Sequence, residues 1–261
     1  MAMARNCIEI QISVIKALFL REAKTRFGKY RLGYLWAILE PAAHLMVMLV
    51  IFGYIMHRTM PDISFPVFLI NGIIPYFIFS DISIRSIKAI EANQGLFNYR
   101  PVKPVDTVIA RTLLEMVIYI LVYLVLMGIL SLCGEIFSLA RVLLLFSTWF
   151  LLIVFSCGVG LIFMVIGSSH PETEKFLPIV IKPLYFISCI MFPLQAIPKQ
   201  YQSYVLWNPI VHVVELSREA VVANYTSDGV SFGYLAICAL GIFFLGLASY
   251  WFRRRAMLTS S

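Results

Sequence analysis

The run VIYILVYLVLMGIL at residues 117–130 leaves the chain few ways to fold. Fourteen consecutive residues without a charge offer no polar face to water. Five further stretches resemble it, so that apolar windows lie at about 34–56, 65–84, 110–132, 140–167, 176–195 and 230–252. Each approaches the roughly 20 residues that a helix needs to cross a hydrocarbon core about 30 Å thick. Hydrophobic residues make up 61% of the 261, charged residues 13%, and the mean hydropathy is +0.87. No soluble domain buries that much apolar surface, so part of the solvent is lipid. In lipid, only helices and closed barrels satisfy their own backbone, and these runs lack the alternation of barrel strands. The expected class is an all-α membrane protein of six transmembrane helices, with residues 1–33 as a separate basic segment and 34–261 as the transmembrane unit.

Charge orients the chain. With both termini in the cytoplasm, the inner segments hold 17 Lys and Arg and the outer ones only Arg58, Arg141, Lys199 and Arg218. This imbalance follows the positive-inside rule. The net charge of +7 is thus a topological signal and calls for no nucleic acid. Before the first span, Ile8, Ile12, Ile15 and Phe19 recur at helical spacing beside Lys16, Arg21, Lys24 and Arg26, the pattern of a helix lying among lipid headgroups. The five cysteines are scattered and form no CxxC or Cys/His cluster.

The segment 196–229 is too short to cross the membrane and return. Asn208-Pro209 makes a helix start, since Asn caps well and Pro suits the first helical position. From there His212, Glu215, Arg218 and Glu219 share one helical face, and Ile210, Val213, Val214 and Ala220 another. Two short helices on or in the outer leaflet are expected, with an outer-surface loop as the alternative. Asn224-Tyr-Thr226 is formally a glycosylation sequon.

Reactive motifs are scarce. There is no GxxxxGK[ST] loop to cradle phosphate; GKYRLGYL at 28–35 lacks the lysine and hydroxyl at the required offsets. HExxH and GxSxG are absent. His57-x4-Asp62 has an acyltransferase-like spacing but lies on the outer side. A membrane enzyme using His57, Asp62 or Glu115 as acid–base groups, and a passive channel or scaffold, are the competing readings. Aromatic residues are abundant, and suit either an interfacial belt or a sliding surface for sugar rings.

Several longer strings go further. FLREAKTRFGKYRLGYLWAILEP (19–41), EANQGLFNYRPVKP (91–104), KPLYFISCIMFPL (182–194) and LWNPIVHVVELSREA (206–220) closely resemble the inner-membrane permeases of group 2 capsular polysaccharide exporters, the KpsM type of the type-2 ABC exporters. The resemblance runs over nearly the whole chain. It implies a homodimer of six-helix subunits bound to a separate ATPase subunit (KpsT type), with ATP and magnesium held by that partner and no cofactor in this chain. It further implies a periplasmic adaptor, an outer-membrane polysaccharide export protein, and a lipid-linked acidic polysaccharide as cargo in the bacterial inner membrane. On this basis the loop 85–109 couples to the ATPase through Ile90, Glu91, Gln94, Leu96, Phe97, Tyr99 and Arg100, in a short helix over 88–97. Pro101 and Pro104 end that helix and stiffen the return. Tyr34, Phe68, Tyr76 and Tyr185 are candidates for the polysaccharide pathway. His212, Glu215, Arg218 and Glu219, in re-entrant helices, are candidates for a periplasmic gate, as a polar face toward the exit or a partner.

Overall fold

The computed structural model describes residues 7–27, 33–56, 63–97, 99, 101–138, 140–170, 172–222 and 225–259. Helix α1 (Cys7–Phe27) has Glu9 in its first turn and Lys24 and Arg26 in its last, each complementing the helix dipole. Helix α2 (Gly33–Met48) contains Pro41 and widens into a π-helical stretch, Leu49–Ile55. Together they form one apolar rod with most of its surface exposed. Helix α3 (Phe65–Ser86) is the opposite. It is buried along nearly its whole length, packed by α2, α4, α5, α6 and α8.

After α3 the chain turns into a 3-10 helix, Glu91–Leu96. Helix α4 (Pro104–Leu132) then begins on a proline, with the Asp106 carboxylate accepting from the Lys103 backbone N–H at 2.9 Å. Among the described residues, helices α5 (Val142–Ser169) and α9 (Phe232–Thr259) share the most extensive contact. A Cβ on Gly158 would lie 2.6 Å from the Phe243 backbone, and one on Gly246 would lie 2.6 Å from the Gly158 carbonyl oxygen. Small residues here let two backbones touch, the usual way helices associate where lipid supplies no hydrophobic drive.

Five helical stretches among the described residues are long and apolar enough to span: Leu35–Ile55, Phe65–Ser86, Pro104–Leu132, Val142–Ser169 and Phe232–Arg254. The stretch expected at 176–195 behaves differently. Helix α6 (Thr173–Ile187) has 15 residues and two internal prolines, Pro178 and Pro183. At 1.5 Å per residue it covers only about 22 Å. The chain then turns through Cys189, which holds a left-handed φ of 56°.

The next segment contains a 3-10 turn (Leu194–Ala196), α7 (Lys199–Val205) and α8 (Pro209–Val221). The break falls at Asn208, whose side chain accepts from the Ile210 N–H at 3.0 Å. Both the polar and the apolar face of α8 lie inside the fold. His212, Glu215 and Arg218 are buried, and so are Ile210, Val213, Val214 and Ala220. The helix is enclosed by α3, α5 and α9 rather than laid on a surface, because its polar side chains find partners inside the fold.

Candidate functional site

Charged side chains gather at two ends of the bundle. At the end that carries α1, Glu115 of α4 pairs with Arg26 of α1 and, at 3.0 Å, with Arg85 of α3. Asp81 lies 3.9 Å from Arg26 and 3.8 Å from Arg85, and accepts from the Tyr119 hydroxyl at 2.8 Å. Glu22 accepts from Arg111 at 2.8 Å, and Arg111 also donates to the Arg85 carbonyl. The Gln11 amide donates to Asp106. Helix α1 is therefore clamped to α4 along most of its length and meets α3 at Arg26. Among these groups Glu115 Oε2 is buried without a hydrogen-bond partner.

The segment between α3 and α4 sits beside this cluster. Its 3-10 helix is shorter than the helix expected over 88–97, because residues 87–90 form turns. Glu91 and Gln94 are exposed, Ile90, Leu96 and Phe97 are half-buried, and Tyr99 is 64% exposed. Arg100 lies outside the described residues. A groove of about 370 Å³ runs between α1, at Ile10, Val14 and Leu18, and the loop, at Leu96, Pro101 and Val102. Lys88 reaches across to Glu174, and that hydrogen bond raises the lysine's pKa above its ordinary value.

At the other end, Glu215 and Arg218 are each 0% exposed and pair at 2.9 Å. Both make further hydrogen bonds. Glu215 Oε1 also accepts from the Leu194 N–H at 3.2 Å, and Oε2 accepts from Tyr225 at 2.6 Å and Ser227 at 3.2 Å. Arg218 donates to the Ile190 carbonyl at 2.9 Å and to the Phe68 carbonyl at 3.4 Å, and its guanidinium lies 3.5 Å from the centre of the Phe68 ring. Gly72 makes this possible, since a Cβ there would stand 2.9 Å from Arg218 Nη2. Glu219 turns outward and pairs with Arg141 at 2.9 Å. His212 accepts from the Ser231 N–H at 3.0 Å and meets the Leu206 carbonyl at 2.8 Å, an arrangement that fits the neutral ring with its proton on Nε2. Burial lowers its pKa to match.

The aromatic candidates divide between these regions. Phe68 lies under Arg218. Tyr76 and Tyr185 are neighbours, with ring centres 5.1 Å apart. Tyr76 donates to the Ile181 carbonyl, and Tyr185 meets His44 at 2.9 Å. The side chain of Tyr34, along with His57, Asp62 and Asn224, lies outside what the structure describes.

Reading the residues in order misses Arg21 and Asn93. Arg21 looks like one more cation on a basic helix, and Asn93 like one more polar residue in a loop. Asp81 and Arg85 do carry a signal, because their four-residue spacing places them on one face of α3.

Residues 13–222 match the ABC-2 type transporter family. The chain belongs to that family. It is a transport permease rather than an enzyme. This ABC-2 permease is 67% identical over 258 residues to the polysialic acid transport protein KpsM of Escherichia coli, covering 99% of this chain and 100% of the relative. It is also 30% identical to the capsule polysaccharide export inner-membrane protein CtrC of Neisseria meningitidis, over 92% of this chain and 90% of that one. With the corresponding protein BexB of Haemophilus influenzae the identity is 28%, over 93% and 92%.

Proposed function

We propose that this chain is the membrane-spanning subunit of an ABC exporter that moves a lipid-linked acidic capsular polysaccharide across the bacterial inner membrane. The observation that carries the reading is the 67% identity to KpsM across 99% of the chain. That relative is named for polysialic acid, an acidic polysaccharide. The chain has no phosphate-cradling loop, so ATP and magnesium bind a separate ATPase subunit of the KpsT type.

The termini lie in the cytoplasm, as the charge imbalance of 17 against 4 supports. Helix α1 occupies the inner interface and residues from 34 onward form the transmembrane unit. Helix α6 with the turn after it makes the sixth crossing. Helices α7 and α8 form a re-entrant segment at the periplasmic end, where Glu219 and the buried His212, Glu215 and Arg218 shape the exit. Exposed apolar faces on α2 and α6 suit the second copy of a homodimer as well as lipid. Tyr76 and Tyr185 are the aromatic pair best placed to border the sugar pathway, while Phe68 is committed to Arg218. A periplasmic adaptor and an outer-membrane export protein carry the polymer onward.

Energy from ATP enters through the segment Ile90–Tyr99. Its exposed Glu91 and Gln94 and half-buried Leu96 and Phe97 offer a partner both polar and apolar contacts, and buried anchors dominate such interfaces. Phe97→Ala, or Leu96→Asp, is expected to leave the permease inserted in the membrane while abolishing co-purification with the ATPase or export of capsule. Normal binding and export by both variants would reject this assignment.

A further inference from the structure

The coupling segment is held by a specific polar clamp. Arg21 of α1 donates from Nη1 to the Asn93 side-chain oxygen at 2.8 Å and from Nη2 to the Ala92 carbonyl at 3.1 Å. Asn93 in turn donates from its amide nitrogen to the Ala89 carbonyl at 2.8 Å. One guanidinium thus grips two consecutive residues of the 3-10 helix, and the asparagine ties that helix to the turn before it.

Two features set this contact apart from ordinary loop packing. Asn93 is only 4% exposed, although the residues on either side of it, Ala92 and Gln94, are exposed. A buried asparagine is tolerated when both ends of its amide are satisfied, and here both are. The helix that carries Arg21 is moreover fixed elsewhere, by Arg26 to Glu115, by Glu22 to Arg111 and by Gln11 to Asp106. The coupling segment is bonded to α1, and α1 is bonded to α4 by these three contacts and approaches α3 where Arg26 lies 3.9 Å from Asp81. The result is a closed mechanical circuit. Apart from the clamp, this six-residue 3-10 helix has backbone hydrogen bonds to the preceding turn, from the Ala92 N–H to the Lys88 carbonyl and from the Asn93 N–H to the Ile90 carbonyl, and it borders the groove at Leu96.

We infer that Arg21 and Asn93 are positioning residues for energy coupling: they set the pose in which Glu91–Phe97 meets the ATPase and make α1 move with that segment. The inference rests on the coupling role proposed above. A fork-shaped guanidinium is required, since a lysine ammonium reaches either acceptor but does not hold the two in fixed geometry.

The test uses the full-length permease in lipid vesicles with the ATPase subunit of its exporter. Arg21→Ala and Asn93→Ala are each expected to weaken ATPase binding, or lower polysaccharide exported per ATP hydrolysed, by about tenfold, the order expected for loss of a charge-assisted hydrogen bond. The double variant should be no worse than either single, because both remove one interaction. Arg21→Lys should fall between. A spin label on Gln94→Cys, with the five native cysteines replaced, should become mobile in the Asn93→Ala protein while a label on α5 stays unchanged. A purely structural role would instead lower the amount of folded permease and leave the remainder with native affinity and coupling. Native affinity, native coupling and an immobile label, in a preparation where Phe97→Ala fails to couple, would overturn the inference alone. If Phe97→Ala couples normally, the coupling role itself falls. The clamp then stands on the label, which supports it if mobile and overturns it if immobile.

Discussion

The two charged clusters of this permease are built from the same residue types and solve opposite problems. At the outer end, Arg218 and Glu215 are wholly enclosed, and every nitrogen and oxygen of the two charged groups has a hydrogen-bond partner among Leu194, Tyr225, Ser227, Ile190, Phe68 and each other. At the inner end, Glu115 is 2% exposed but the groups around it are less enclosed: its partners Arg26 and Arg85 are 18% and 41% exposed, and Asp81, which shares those arginines, is 29% exposed. The contacts there vary from close pairs to separations of 3.8 and 3.9 Å, and one oxygen of Glu115 has no partner. A buried ion pair tolerates no vacancy, because removing either charge strands the other in a low-dielectric medium. An ion pair with one exposed partner loses less when it is broken, because solvent screens it. The outer cluster is an enclosed pin that holds α8 to α3, and the inner one ties α1 to α4 through groups of unequal exposure.

That contrast is sharpest at Arg218. Arg218→Ala leaves Glu215 charged, buried and short of its main partner, at a cost of about 3–5 kcal/mol. The expected outcome is loss of folded permease from the membrane, measured by immunoblot and by thermal unfolding in detergent. Joint replacement of Glu215 by Gln and Arg218 by Met should recover part of the level, because no charge is then stranded. Equal loss in the single and joint variants would show that α8 depends on shape rather than on charge.

Glu115→Gln should do less. The amide keeps the volume and one acceptor, and Arg26 and Arg85 retain Asp81 and water. A loss of about 1–2 kcal/mol is expected, within the range for a hydrogen bond to a charged group. Unlike the outer pair, the inner cluster should also respond to ionic strength, since exposed ion pairs are screened. Melting temperatures of native and Glu115→Gln permease at low and high salt should therefore converge, whereas those of native and Arg218 variants should not.

The smallest effect expected is on pH. His212 is buried as the neutral ring, with its pKa depressed below the ordinary 6.5. The unfolded chain takes up a proton first as pH falls, so the stabilisation is present above pH 6.5 and is lost as pH drops below it. A modest fall in melting temperature between pH 7.5 and 5.5 is expected. It should be reduced in His212→Gln, which cannot titrate.

Much of this was legible from the residues in order. The apolar windows at 34–56, 65–84, 110–132, 140–167 and 230–252 correspond to helical stretches whose ends differ by a few residues. Asn208-Pro209 marks a helix start because its capping chemistry is local. The window at 176–195 misled on helix length. Its hydropathy is high, but Pro178 and Pro183 sit within the helix, and the helix ends at Ile187 before the turn at Cys189. The burial of the polar face of α8 was not legible for another reason. A charged residue on a helix predicts an exposed face only if no buried partner awaits it, and Arg218 finds Phe68, 150 positions earlier.

The sequence by itself determined the solvent and the scale of the fold. Runs of twenty apolar residues are insoluble in water and match the thickness of a bilayer, and both are properties of composition and length. The positions of Gly, Pro and Asn likewise act within a few residues, through backbone sterics and caps. The pairing of charges was decided only by the tertiary structure. Arg21 meets Asn93 across 72 residues, and Glu22 meets Arg111 across 89. Nothing in either local pattern names its partner. Coulomb attraction and hydrogen bonding depend on distance and desolvation in space, and those exist only once α1, α3 and α4 have packed.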